Sequence, residues 1–241
     1  MIKNIIVSLV VSCFLFSGVF AQELILKKSE VSANAHYSFS VPEGWKEIPK
    51  DVIEDAYRTI GLKAPRKVFQ KDVDQYFQYP YFSLDEGVLT AGVYNSFLQL
   101  AESQDEKGGM REVLNKKAKD VFEESSSVDM GNISINEAGD VLSIQSFMKV
   151  GGEEIQGDVL TLFGKDHYVT IGFSRISGQD DGDSVILENI VHSFSFDEGF
   201  KFEGFPSQQD DYDESLGRIF GQILGFVLAI CLGIYIKKYK S

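Results

Sequence analysis

LSIQSFMKVGGEEIQGDVLTLFGKDHYVTIGF, residues 142–173, decides the fold. Its runs Leu142–Val150, Ile155–Phe163 and His167–Phe173 are rich in β-branched and aromatic residues. Gly151-Gly152 separates the first two, and Gly164-Lys165-Asp166 the last two. Ile133 and Ile135 begin one more strand just upstream. Strands this close in sequence, joined by turns this short, predict an antiparallel meander.

Working outward toward the N-terminus, Tyr37, Phe39 and Val41 alternate with Ser38 and Ser40, the period of a half-buried strand. Pro42-Glu43-Gly44 turns the chain, and Trp45 to Ile48 returns beside it. Asp51 to Ile60 places Val52, Ile53, Ala56, Tyr57 and Ile60 on one helical stripe, with Gly61 set to end it. Tyr76, Phe77, Tyr79, Tyr81 and Phe82 surround Pro80 and predict a strand that bends or lies at a sheet edge. Leu89, Val93, Phe97 and Leu100 recur at helical spacing. A loop over Gln104–Gly109 leads to a helix with Val113, Leu114, Ala118, Val121 and Phe122 inside and Lys116, Lys117 and Lys119 outside. Beyond the meander, Asp183 or Ser184 caps a helix carrying Ile186, Leu187, Ile190 and Val191, and Phe194 and Phe196 close the domain. The order of strands, helices, strands and a helix predicts an α+β sandwich, an antiparallel sheet with packed helices.

Tyr37-Ser-Phe-Ser-Val-Pro-Glu-Gly-Trp45, the meander, and the closing helix that runs into Ser193-Phe-Ser-Phe196 resemble the PsbP-like fold over roughly residues 35–197. The resemblance takes in the extrinsic photosystem PsbP proteins, the DcrB-like lipoproteins and the Mog protein. It implies a non-enzymatic binding or assembly protein and assigns no partner-binding residue to any position of this chain.

The two ends speak to compartment. Residues 1–21 pair Lys3 with an apolar run from Ile5 to Phe16 and end Val19-Phe-Ala21, a secretory signal cleaved after Ala21. The alternatives are an uncleaved anchor, or a lipoprotein box at Val10-Val-Ser-Cys13. At the other end, Ile219 to Ile236 carries no charge, and 18 residues in a helix reach about 27 Å, close to the hydrocarbon thickness of a bilayer. Residues 218–236 are therefore expected to cross the membrane once. The positive-inside rule puts the tail 237–241, with Lys237, Lys238 and Lys240, in the cytosol and residues 22–197 outside it, periplasmic in a bacterium. Residues 198–217 form an acidic linker in which Phe200, Phe202 and Phe205 can fold back on the domain.

Five of the 23 basic residues (Lys3, Arg218, Lys237, Lys238 and Lys240) lie at the ends, which leaves 18 against 36 acidic residues for Gln22 to Gly217, a net charge of −18. That surface repels nucleic acid and anionic headgroups. Cys13 and Cys231 both lie in the terminal apolar segments, so the domain has no disulfide available.

Motifs for chemistry fare poorly. Ser146-Phe-Met-Lys149 matches Ser-x-x-Lys, but on a strand residues three apart face opposite ways. Ser177 to Glu188 overlies a calcium loop with Ser177 where an aspartate is required. His36, His167 and His192 have no metal-ligand spacing, and no cofactor is expected. Gly217, Gly221 and Gly225 share one face of the C-terminal helix, where a second helix, from a protein partner or another copy, approaches closely. The leading expectation is a membrane-tethered, non-enzymatic binding or assembly module. Beside it stand a hydrolase using surface carboxylates and a scaffold acting through the glycine-lined helix.

Overall fold

Burial along the second run of the meander alternates with the pleat: Leu142, Ile144, Ser146, Met148 and Val150 are buried and their neighbours are not. The computed structural model describes residues 26–32, 34–71, 74–122, 126–178, 182–205, 221, 223 and 225–228. In chain order the elements are β1 (Leu26–Ser32), β2 (Tyr37–Pro42), β3 (Trp45–Glu47), α1 (Lys50–Thr59), β4 (Lys67–Lys71), β5 (Tyr81–Val88), α2 (Ala91–Glu102), α3 (Gln104–Val121), β6 (Ser127–Ile135), β7 (Val141–Val150), β8 (Glu153–Phe163), β9 (His167–Ile176), α4 (Asp183–Ser193) and β10 (Ser195–Phe196). The meander forms as expected, as β6 to β9. Seven strands make one antiparallel sheet in the order β3-β4-β5-β9-β8-β7-β6, and β1-β2-β10 make a second, smaller one.

The large sheet is covered on both faces, which gives three layers. On one face Phe82, Leu84, Val169, Ile171 and Phe173 meet Phe39 and Val41 of β2 and Ile190 of α4. On the other, Leu142, Ile144, Met148 and Val159 pack against Phe97 and Leu100 of α2 and Met110, Leu114 and Ala118 of α3. At the β3-β4-β5 end of that face, Ile53, Ala56 and Tyr57 of α1 cover Val68 and Tyr81. Each such aliphatic or aromatic side chain stabilises the fold by about 1.5–3 kcal/mol when fully buried.

Several expectations need correcting. The aromatic cluster is not an edge strand. Tyr76, Phe77 and Tyr79 precede β5 in a turn, and β5 is interior, paired with both β4 and β9. The turn is held by Gln70, a buried amide that accepts from Phe77 N (2.6 Å) and donates to Gln75 O (2.8 Å). Gln104–Gly109 is not a loop but the first turns of α3. Ser103 caps it, its Oγ accepting from Glu106 N at 3.2 Å, and Asp105 and Glu106 sit at the positive end of the helix dipole. The Ser103 cap, together with the buried Met110, Leu114 and Ala118, offsets Gly108 and Gly109, which each disfavour a helix by about 1 kcal/mol relative to alanine. Val113 is exposed, because the inward stripe of α3 is Met110, Leu114 and Ala118. The cap of α4 is Gly182, at φ 84°, rather than Asp183 or Ser184.

The phenylalanines that follow the domain do fold back. Phe200 stacks on His36 with ring centroids 3.6 Å apart, and Phe202 and Phe205 lie against Tyr94 at 4.8 and 5.7 Å. The signal, Gly217, the acidic run Asp210–Glu214, the lysine tail and most of 218–236 lie outside the described residues.

Candidate functional site: a groove on the helical face of the sheet

Between α1 on one side and α2–α3 on the other, the sheet face is lined by small side chains. Register places Ser83 of β5 opposite Gly172 of β9, Ser174 of β9 opposite Gly157 of β8, and Gly157 opposite Ser146 of β7. The result is a trough of small residues across four strands. Two of its hydroxyls are turned onto the main chain, Ser83 Oγ to Gly172 O (3.4 Å) and Ser146 Oγ to Gly157 O (3.2 Å), so the trough offers mostly carbon.

Described residues of the C-terminal apolar stretch lie in that trough. Gly221, Ile223 and residues 225–228 are helical, and Ile223, Phe226, Val227 and Leu228 are buried within the same core cluster as α2 and α3. Phe226 sits on Gly172 so closely that a Cβ there would come within 2.6 Å of its ring. No larger residue at 172 leaves the ring where it is.

One end of the groove is polar. A cavity of about 330 Å³ opens between Tyr57, Lys63 and Asp85 on the domain side and Gly221, Gly225 and Phe226 on the other. The Tyr57 hydroxyl is buried and has no hydrogen-bond partner among the described residues. Burial first, and then the charge of Asp85, hold its phenol well above the usual tyrosine range, with Ser83 opposing. Asp85 is buried too. Loss of water raises its carboxyl above the ordinary value, while Lys63, whose Nζ is 3.7 Å away, and Arg66 pull it back. The pair thus combines a phenol that donates and a carboxylate that accepts, at the rim of an apolar trough.

The neighbouring Glu86 points to the opposite face, as the pleat requires. There it binds Arg66 and accepts from Tyr37 Oη at 3.1 Å and Ser32 Oγ at 3.4 Å. Two adjacent carboxylates are thus divided by the sheet and do not form an acid–base couple. Asp158 pairs with Arg175 at 3.3 Å. Lys50 and Arg58, on the outer face of α1, meet Glu54 and Asp55.

The residues singled out from sequence fall as follows. Gly221 and Gly225 line the cavity, with open space where a Cβ would go, and Gly217 is outside the described residues. Ser146 is buried in the trough, whereas Lys149 reaches Glu154 at 3.1 Å on the exposed side. Residues 179–181 of the calcium-like loop lie outside the described residues, and among those described no group of three His, Cys, Asp or Glu side chains could hold a metal ion. His36 stands 3.7 Å from Asp197 under Phe200, and His192 Nδ1 meets Glu188 O at 2.8 Å. In sequence Tyr57 reads only as a core residue, and nothing there singles out Asp85 as a site. The one available signal is a carboxylate inside the apolar run Tyr81-Phe-Ser-Leu-Asp85.

No family model matches the chain, and no curated protein does. Among solved structures it is similar to the cyanobacterial PsbP protein, CyanoP, of Synechocystis sp. PCC 6803, at 13% identity and a TM-score of 0.43 over 76% of this chain and 99% of that one. It is also similar to a protein of Bacteroides thetaiotaomicron VPI-5482, at 13% identity and a TM-score of 0.39 over 74% of this chain and 52% of that one. The likeness is one of fold alone.

Proposed function

We propose that the chain is a membrane-anchored, extracytoplasmic binding or assembly module that is not an enzyme, and that its recognition surface is the groove between α1 and α2–α3, which takes an apolar helix. The observation that carries the groove is the burial of Ile223, Phe226, Val227 and Leu228 over Gly172, since a helical segment already fits there. Support for the anchor comes from sequence: the uncharged Ile219–Ile236, the lysines after it and the signal before the domain. Among the described residues no helix is long and apolar enough to cross a membrane, and most of 218–236 lies beyond them.

Two measurements test the reading. Protease added to intact spheroplasts should remove the domain and leave a membrane-held fragment; a protected domain with a clipped lysine tail reverses the orientation. A chain ending at Phe205 should bind an uncharged apolar dye such as Nile red, and Gly172→Leu should suppress that binding. A folded chain that binds no dye removes the groove as the recognition surface.

A further inference from the structure

We infer that the cavity at the polar end of the groove binds a small zwitterion, an α-amino acid with an apolar side chain, whose ammonium pairs with Asp85 and whose carboxylate accepts from Lys63 and the Tyr57 hydroxyl. The inference goes beyond the reading of the groove above and needs no partner helix. Its frame is set locally. α1 ends at Thr59, Gly61 turns the chain at φ 68°, and Leu62 N donates to Tyr57 O at 3.0 Å, which returns the chain beside Tyr57. β4 begins only at Lys67, opposite Leu84, so it is the turn carrying Lys63, and not a strand, that passes Asp85.

The lining decides the ligand. Among the described residues of the lining, Lys63 is the one cation and Asp85 the one anion, and nearby Arg66 is engaged by Glu86 on the other face of the sheet. Lys63 Nζ stands 3.7 Å from the carboxylate, beyond the about 2.7–2.9 Å of a tight charged pair, and its side chain is 79% exposed where that of Asp85 is 9%. The lysine can therefore swing to a ligand while Asp85 stays. Tyr57 Oη is buried with no hydrogen-bond partner among the described residues, and Ser83 Oγ is turned to Gly172 O. Burial keeps the phenol protonated, so it has a proton to donate. A cation alone would meet Lys63, an anion alone would meet Asp85, and an apolar molecule would leave Tyr57 and Asp85 stripped of water. A zwitterion answers all three. Opposite charges held 3.7 Å apart are matched by an ammonium and a carboxylate on one carbon, which selects an α-amino acid. The cavity, about 330 Å³, lies at the small end of ligand pockets. Pro65, the Phe226 ring and Gly225, where a Cβ would meet nothing within 4 Å, leave room for an apolar side chain.

The test is calorimetric titration of the full chain, purified in a mild detergent and shown folded by circular dichroism. The probes are free L-leucine, 3-methylbutylamine, which lacks the carboxylate, and 4-methylpentanoate, which lacks the ammonium. Leucine should bind saturably and about tenfold or more tightly than either analogue. Tyr57→Phe keeps the ring and should weaken leucine about tenfold or more while leaving 3-methylbutylamine unchanged. Asp85→Asn should weaken leucine by about as much and leave 4-methylpentanoate no weaker. No saturable leucine binding, an analogue that binds as tightly as leucine, or variants that bind leucine like the native chain each overturn the inference. So does a Tyr57→Phe chain that loses the amine and leucine alike, since that is a packing effect. Nile red binding by the chain ending at Phe205 is a separate measurement, so failure here leaves the groove reading standing, and failure there leaves this site to its own titration.

Discussion

The ring of Phe226 rests on the backbone of Gly172, a contact that exists because residue 172 has no side chain. Gly172→Leu in the full chain should lower unfolding free energy by about 1–3 kcal/mol, the usual range for overpacking a filled site. In a chain ending at Phe205 the same change should cost clearly less. Urea titration of the four proteins gives the coupling, and equal losses in both backgrounds mean that the ring is not seated.

Asp85 predicts a pH dependence. Burial raises its folded pKa above the ordinary value of 3.8, so between those two values the native state holds more protons than the unfolded one, and stability falls as pH rises. Asp85→Asn, which mimics the protonated form, should therefore stabilise the protein at pH 7 and make no difference below pH 3.8. Denaturation midpoints across that interval check this. A loss at pH 7 would mean that the bridge to Lys63 outweighs burial.

Tyr57 carries a buried hydroxyl without a protein partner among the described residues. Tyr57→Phe should leave stability unchanged or raise it by about 1 kcal/mol, since nothing is lost but a desolvated polar atom. If thermal melts show a clear drop, the hydroxyl is satisfied after all, by Ser83 or by something bound in the cavity.

Ser103 joins α2 to α3, and its Oγ holds Glu106 N. Ser103→Ala should cost about 0.5–2 kcal/mol, and the amides at the start of α3 should exchange faster with solvent. Exchange unchanged across Gln104–Lys107 would show that the packing of Met110 and Leu114 fixes the helix start instead.

Gly221 separates the roles suggested for the C-terminal stretch. A Cβ there meets nothing within 4 Å, so Gly221→Ile leaves the seat in the groove intact. In a membrane the same change blocks close approach of a second helix. Loss of self-association in a membrane two-hybrid assay is the expected result. An unchanged oligomer signal rules out pairing through Gly217, Gly221 and Gly225.

Local periodicity was enough for the elements that bury one face. The alternation in Val141–Val150, the turns at Gly151-Gly152 and Gly164–Asp166, and the stripe Ile53-Ala56-Tyr57 each write their environment into neighbouring residues, so the meander and α1 were legible in order. β4 and the start of α3 were not legible. Five residues bounded by lysines carry too little pattern for a strand, and two glycines masked the Ser103 cap.

The groove could only come from tertiary structure. Ser83, Gly157, Gly172 and Ser174 are ordinary residues apart, and they form a trough only because pairing brings β5, β9 and β8 into one register. Asp85 becomes a site residue for the same reason: the pleat turns it toward Tyr57 and sends Glu86 to the other face. Composition marked the C-terminal stretch as apolar, but an apolar stretch suits lipid and a protein trough alike. That Ile223, Phe226, Val227 and Leu228 lie buried over Gly172 depends on residues distant in sequence.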